Sequence, residues 1–258
     1  MKTWSLRKGI GVVSALLLLT CQGCKSGGPK EDPILRLSSA EALQEGKKLM
    51  EAGKYQRAQE YFTHAFEVEP NSAGGREGLL LAADSLFLSN SVDGFVRGEA
   101  KYRDFQNRFP TRDNAAYVQY QIANCLAERM RKPDRDQSPS EKALAAYDEL
   151  IRLFPDSEYL DKAREQSNRV RSNLAEHEFL VGHYNYRRRL MTAAISRFES
   201  LLDTYPEYDS RDKAIFFLAR AYAAADEAEN ADAAFEQLRE EFPESRYLEK
   251  IPAQEEQK

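Results

Sequence analysis

The chain has 258 residues, of which 42% are hydrophobic and 31% are charged, and its formal net charge is −5 at pH 7. This acidic balance argues against a nucleic-acid partner, because binding to phosphates depends on clustered lysines and arginines. Two of the three cysteines, Cys21 and Cys24, lie near the N-terminus. The third, Cys125, follows Val118 and Ile122 at helical spacing, which predicts a small core residue and leaves no second internal cysteine for a disulfide.

Residues 1–23 have the organisation of an export signal. A basic head containing Lys2, Arg7 and Lys8 precedes an apolar stretch at residues 10–19. This stretch is about half the ~20 residues that a membrane-spanning helix needs, so we predict a signal peptide rather than a transmembrane helix.

A cysteine directly after such an apolar stretch resembles the signals of bacterial lipoproteins. The resemblance implies that the thiol is acylated and that the peptide before it is removed. Cys24 follows the small residue Gly23, as the pattern prefers, whereas Cys21 follows the poorly suited Thr20. We therefore expect Cys24 to carry the lipid, with Cys21 as the alternative and an ordinary secretory signal as the competing interpretation. Neither cysteine precedes an aspartate, so the resemblance implies the outer membrane and its periplasmic face.

The segment after the signal mixes glycine, proline and charge without an apolar period. We predict a lipidated, flexible tether over residues 24–37, of which the last thirteen residues extend to at most about 45 Å. Residues 248–258 are predicted to be a disordered tail.

Residues 38–247 are predicted to be helical throughout, with no sheet. A phrase of about four helical turns recurs five times and ends at a proline each time, as in ALAAYDELIRLFP and AISRFESLLDTYP. Repeats of this length indicate stacked helical hairpins, slightly longer than the ~34 residues of a tetratricopeptide repeat. We expect ten helices in five hairpins, near residues 38–52, 55–68, 73–90, 95–108, 112–131, 139–153, 157–186, 190–204, 210–225 and 229–241.

Small and aromatic residues explain why these hairpins pack. In the first repeat, Gly46, Ala58 and Ala65 are placed to let two antiparallel helices approach, and Tyr55 and Phe62 are placed to fill the space between neighbours. The fourth repeat keeps the same kind of set, at Gly182, Ala194 and Phe198.

Local signals mark helix starts and one unusually long helix. Ser38 with Glu41, and Ser138 with Glu141, are each predicted to form a capping box. Residues 157–186 contain no proline and no glycine before Gly182. We therefore predict one helix of about 45 Å that joins two packed halves of the domain.

The whole pattern resembles the BamD family of lipoproteins from the bacterial β-barrel assembly machinery. Beyond the cysteine and the five proline-ended repeats, the specific matches are RDQSPSEKALAAYDELIRLFPDSEYLDKA and LAEHEFLVGHYNYRRRLMTAAISRFESLLDTYP. The resemblance implies an all-α, right-handed superhelix of five tetratricopeptide-like hairpins. It also implies an assembly factor that is not an enzyme and has no cofactor besides the acyl chains on its cysteine.

Partners and site residues follow from the same resemblance. It implies that the C-terminal repeats bind the POTRA region of the barrel insertase, and that unfolded outer-membrane β-barrel proteins are clients. Other assembly lipoproteins are further candidate partners. Arg197 matches the family arginine that faces the POTRA partner, while Arg187, Arg188 and Arg189 are a second candidate contact. The competing interpretation is that these arginines are simply solvated and that the neighbouring Tyr184 packs into the adjacent hairpin.

The rival functions belong to two classes. Another periplasmic scaffold, such as a Tol–Pal or cell-division factor, would have similar repeats but typically begins with a coiled coil. An enzyme would need a catalytic motif, and the sequence has no phosphate loop, nucleophile elbow or cysteine cluster. His177 and His183 are six residues apart, not the four of a zinc-protease helix.

Overall fold

A computed structural model describes residues 32–110 and 112–251, apart from the side chain of Arg112. That part of the chain contains ten α-helices, two short 3₁₀ helices and no β-strand, which confirms the all-α prediction. None of its helices has both the length and the hydropathy needed to span a bilayer. The helices are α1 (Ser39–Glu51), α2 (Tyr55–Val68), α3 (Ala73–Leu88), α4 (Val92–Arg108), α5 (Arg112–Ala127), α6 (Ser138–Leu153), α7 (Leu160–Arg187), α8 (Met191–Thr204), α9 (Arg211–Ala224) and α10 (Ala228–Glu241).

The helices stack as successive antiparallel hairpins. Each helix packs along the next one in the chain, from α1 against α2 to α9 against α10. Helices α1 and α3, α5 and α7, and α7 and α9 also touch. No pair of alternate even-numbered helices makes comparable contact in the described residues. The odd-numbered helices, here called the odd-helix layer, therefore lie on the inner side of the stack, in keeping with the predicted superhelix.

Within the first and fourth hairpins, a glycine on one helix faces an aromatic ring on the other. A Cβ atom placed on Gly46 would lie 2.6 Å from Cε1 of Phe62, and one on Gly182 would lie 2.8 Å from Cε1 of Phe198. Real Cβ atoms essentially never come this close, so only glycine permits the observed separation of the helices. Phe62 and Phe198 are fully buried, which confirms the predicted small-against-aromatic packing.

Helix α7 joins two hydrophobic cores. Its 28 residues span about 42 Å. Val170 and Leu174 pack in the core built by α3 to α6, whereas Ala175 and Phe179 pack in the core shared with α8 and α9. The helix begins three residues later than expected because the turn after Pro155 is closed by backbone hydrogen bonds of its own.

The prediction for Cys125 is also confirmed. Its side chain is completely buried beside Val118 and Ile122, and the thiol is free. Burial raises the pKa of Cys125 to about 12, so the group stays protonated and unreactive at neutral pH.

One of the two predicted capping boxes is present. The backbone N–H of Ser38 donates to Oε2 of Glu41 at 2.9 Å, and the N–H of Glu41 donates to Oγ of Ser38 at 3.3 Å. These hydrogen bonds from Ser38 lower the pKa of Glu41, because they stabilise its ionised form.

The second capping box, at Ser138 and Glu141, was predicted wrongly. Helix α6 begins at Ser138 itself, with Gln137 as its N-cap residue, and Ser138 donates both its N–H and its hydroxyl to Asp136. The amide of Gln137 instead closes the turn by donating to the carbonyls of Lys132 and Arg135, each at 2.9 Å. Helix α5 ends at residue 127 rather than at 131, so the turn before α6 is longer than predicted. Hydrogen bonds within the turn hold its shape.

The described structure extends into both the predicted tether and the predicted tail. Pro33–Arg36 form a 3₁₀ helix capped by Asp32, and Ile34 is buried against α2. At the other end, Leu248–Lys250 form a second 3₁₀ helix, and Ile251 packs against the last core. At each end a single apolar residue packs against the domain, and apolar periodicity in the sequence does not reveal an isolated residue. The rest of both segments lies outside the described residues.

Gly182→Ala should destabilise the domain, because the new methyl group would overlap the ring of Phe198. We expect a loss of about 1–3 kcal/mol in the free energy of unfolding, the usual range for overpacking. Gly74→Ala is the matched control, since its Cβ would meet no atom closer than 3.8 Å, and it should be neutral or slightly stabilising. Urea unfolding of both variants measures the difference. Equal stability of the two variants would contradict this account of the hairpin.

Candidate functional site

The predicted partner-binding arginines lie close together in the chain but on different elements. Arg197 is on α8, Arg187 is the last residue of α7, and Arg188 and Arg189 form the turn between these helices. All four are exposed. The two predicted lipidation residues, Cys24 and Cys21, lie outside the described residues, so the lipid position stays a prediction.

Arg197 is held by a carboxylate from the preceding helix. Its Nη1 donates to Oε2 of Glu178 on α7 at 2.8 Å, while the side chains are 49% and 22% exposed, respectively. A guanidinium carries five N–H donors, so this single bond leaves most of the planar fork facing solvent. No sequence pattern identifies Glu178 as this partner, because it is 19 residues away and on another helix.

The arginines of the α7–α8 turn have no such partner. Arg187, Arg188 and Arg189 form no salt bridge with any residue in the described ranges. Arg189 has a left-handed backbone (φ 61°), which reverses the chain between the two helices. Three charges are therefore presented to solvent from one tight turn.

Exposed apolar side chains surround this turn. Tyr184 is 62% exposed and Leu190 is 54% exposed, so the expectation that Tyr184 packs into the adjacent hairpin is wrong. Tyr186 is the tyrosine that packs, with its ring 5.7 Å from that of Phe217 on α9. A cluster of cations beside exposed aromatic and aliphatic groups has the composition of a protein contact.

The reason for the exposure of Tyr184 is that α7 extends past its neighbour α6. Asn173 donates to Oε1 of Gln137 at 2.6 Å, and the ring Nδ1–H of His177 donates to the carbonyl of Pro133 at 2.6 Å. These contacts mark where the turn between α5 and α6 covers α7. Tyr184 is nearly two turns further along, and no element of the described ranges covers its side chain.

Two large aromatic side chains of the first two repeats belong to the core. Phe62 and Tyr102 are fully buried. The hydroxyl groups of Tyr102 and Tyr117 both donate to Oδ1 of Asp84, at 2.5 Å and 2.7 Å. Burial raises the pKa of Asp84, although these two hydrogen bonds oppose the increase. These side chains tie α3, α4 and α5 together and leave little to offer a ligand.

One further group of side chains, where α7 and α9 meet in the odd-helix layer, was not predicted from the sequence. Lys213, His183 and Phe217 come together there, although they are up to 34 residues apart. Helical periodicity identifies the helices but not which faces meet, so no pattern in the sequence reveals this grouping.

Arg197→Ala should change stability very little. An exposed ion pair contributes about 0–1 kcal/mol, and removing the arginine leaves Glu178 partly in contact with water. We expect the free energy of unfolding to fall by less than about 1 kcal/mol, measured by urea denaturation, with Glu178→Gln showing the same small effect. A loss of several kcal/mol in either variant would show that the pair is a structural element rather than a surface feature.

Comparisons with known proteins agree with this architecture. Residues 36–234 match the YfiO family, described as outer membrane lipoprotein. The chain is 25% identical over 217 residues to outer membrane protein assembly factor BamD of Caulobacter vibrioides, covering 84% of this chain and 70% of that protein. It is 27% identical to BamD of Rickettsia prowazekii (82% and 83% covered) and 23% identical to BamD of Neisseria gonorrhoeae (94% of both).

Among solved structures, YrrB, described as a TPR protein with an unusual peptide-binding site, aligns with 80% of this chain and 87% of its own. The identity is 14% and the TM-score is 0.36. At this level of similarity it carries no argument about the present chain. The family match covers more than three quarters of the sequence and runs from before α1 into α10, and the chain therefore belongs to the YfiO/BamD family of outer membrane lipoproteins.

Proposed function

We propose that this protein is a non-enzymatic scaffold of the outer-membrane β-barrel assembly machinery. Its C-terminal repeats bind the POTRA region of the barrel insertase, and the protein helps to deliver and insert unfolded outer-membrane β-barrel proteins. The observation that carries this proposal is the group of exposed arginines at Arg187, Arg188, Arg189 and Arg197, on a chain whose relatives are named assembly factors.

Arginine chemistry supports a protein contact at this position. A planar guanidinium binds a carboxylate bidentately, and arginine and tyrosine are enriched where binding energy concentrates. Arg197 is already oriented by Glu178, so a partner carboxylate meets a guanidinium that has lost part of its rotational freedom. Less entropy is then lost on binding.

The repeat architecture supports a scaffold role. Stacked hairpins bury their apolar faces against their neighbours and leave a long surface on each side for partners. An acylated Cys24 would hold that surface at the periplasmic face of the outer membrane, since each buried CH₂ contributes about 0.8 kcal/mol and two or more chains make anchoring stable.

Arg197→Glu should weaken binding to the POTRA region, because a carboxylate that repels a partner carboxylate replaces the guanidinium that would bind it. We expect a loss in affinity on the order of 10-fold, equivalent to about 1.4 kcal/mol. The measurement is titration of purified insertase POTRA domains. Arg239→Glu is the matched control, since Arg239 is also an exposed helical arginine in a surface ion pair, but on α10. Unchanged affinity of the Arg197 variant would remove this residue from the interface.

A pull-down in mild detergent, with this chain as bait, separates the proposal from its rival. Recovery of a POTRA-containing insertase supports the assembly role. Recovery of Tol–Pal components without any POTRA protein would overturn it in favour of the other periplasmic scaffold.

Cys24→Ala should abolish lipid attachment, whereas Cys21→Ala should leave it intact. Metabolic labelling with radioactive palmitate, followed by membrane fractionation, measures both effects. Loss of label only in the Cys21 variant would move the anchor to Cys21, and full labelling of the double variant would exclude acylation at either cysteine.

A further inference from the structure

Where α7 and α9 touch in the odd-helix layer, a cluster of rings is partly open to solvent. The imidazole of His183 lies nearly parallel to the ring of Phe179 (centroids 5.7 Å apart, 12° between planes). It also meets the ring of Phe217 edge to face, with centroids 4.7 Å apart. Phe179 is buried, but His183 and Phe217 are only partly covered. These partly covered rings form an aromatic surface, which we call the α7–α9 seam.

A lysine lies at one end of the seam. The Nζ atom of Lys213 is 3.6 Å from the ring centroid of Phe179, and the lysine side chain is 25% exposed. Its nearest carboxylate is Glu176, with Oε1 at 3.7 Å, and Glu176 also accepts a hydrogen bond from the hydroxyl of Tyr208. The charge of Lys213 is therefore incompletely balanced.

Two arginines lie at the other end. The guanidinium of Arg220 lies 5.9 Å from the ring centroid of Tyr186, and the side chain is exposed. Neither Arg220 nor Arg187 forms a salt bridge with any residue in the described part of the chain. The pKa of His183 is lowered, first by burial and then by the charges of Arg187 and Lys213, as expected in a positive local field.

The spacing along α9 defines the kind of ligand. Along α9, Phe217 follows Lys213 by four residues and Arg220 follows Phe217 by three, so all three side chains lie on one face of the helix. The two cationic residues are about 10.5 Å apart along the helix axis. In an extended peptide, alternate side chains point the same way, and residues i and i+4 are about 13–14 Å apart. Long, flexible lysine and arginine side chains bridge the difference.

We propose that the α7–α9 seam is a binding site for an extended, acidic peptide segment of the form Asp-x-Phe-x-Asp. The two carboxylates contact Lys213 and Arg220, and the aromatic ring between them packs on Phe217 and His183. Charge complementarity favours this occupant, because the protein carries a net charge of −5 and yet places three cations here. Arg220 and Arg187 form no salt bridge in the described residues, and Lys213 is paired with a single carboxylate, that of Glu176, at 3.7 Å. The site goes beyond the proposed insertase contact, with which it shares only Arg187, and its test needs neither insertase nor membrane.

The experiment is fluorescence anisotropy with the full domain and the labelled peptide Gly-Asp-Ser-Phe-Ser-Asp-Gly. We expect saturable binding that weakens at least 10-fold in Arg220→Glu. The matched control is Arg57→Glu, which reverses an exposed arginine on α2 without a salt bridge in the described residues, and its affinity should stay within twofold. Absence of saturable binding, or an equal loss in both variants, would overturn the proposal.

Two control peptides test the chemistry on the unmodified protein, so the conclusion does not depend on any variant folding. Gly-Lys-Ser-Phe-Ser-Lys-Gly reverses the charge, and Gly-Asp-Ser-Ser-Ser-Asp-Gly removes the ring. Both should bind at least 10-fold more weakly than the acidic aromatic peptide. Equal affinity of the first would refute charge recognition, and equal affinity of the second would refute the aromatic contact, so either result overturns the proposed site.

Discussion

The close approach of two helices, with a glycine on one against an aromatic ring on the other, is the contact on which this structure depends. Gly46 against Phe62 and Gly182 against Phe198 show it in the first and fourth hairpins. Protein interiors are packed as densely as organic crystals, so a hairpin opened by one methyl group would no longer match its neighbours. Each hairpin needs those neighbours, because its own two helices cannot bury both apolar faces.

Helix α7 extends this local constraint to the whole domain. Its first half completes the core of the middle repeats, and its second half belongs to the core with α8 and α9. The exposed turn at residues 187–189, the partner of Arg197 and the α7–α9 seam all depend on its second half. A rigid helix shared by two cores fixes these groups relative to one another. Binding to such a prearranged surface costs little conformational entropy.

This end of the molecule carries a cluster of neighbouring positive charges. Several described arginines pair with nearby carboxylates, as Arg97 does with Asp93 and Arg108 with Asp104. The arginines at the end of α7 have no such partner among the described residues. Exposed ion pairs contribute little to stability, so leaving these cations unpaired costs the fold little. A positive surface charge of this kind accelerates encounter with acidic molecules.

The sequence by itself determined the helical class, the hairpin boundaries at each proline, the small-against-aromatic pairs and the cap at Ser38. These features depend on residues close in the chain or on a period that repeats along it. Only the tertiary structure decided that Ser138 bonds Asp136 instead of Glu141, that Tyr184 is exposed and that Glu178 holds Arg197. The α7–α9 seam belongs to the same group. For Tyr184, for the pair of Glu178 and Arg197 and for the seam, the outcome depends on which helix faces meet. Helical periodicity shows that a face is apolar, but not which neighbour covers it or where that neighbour ends.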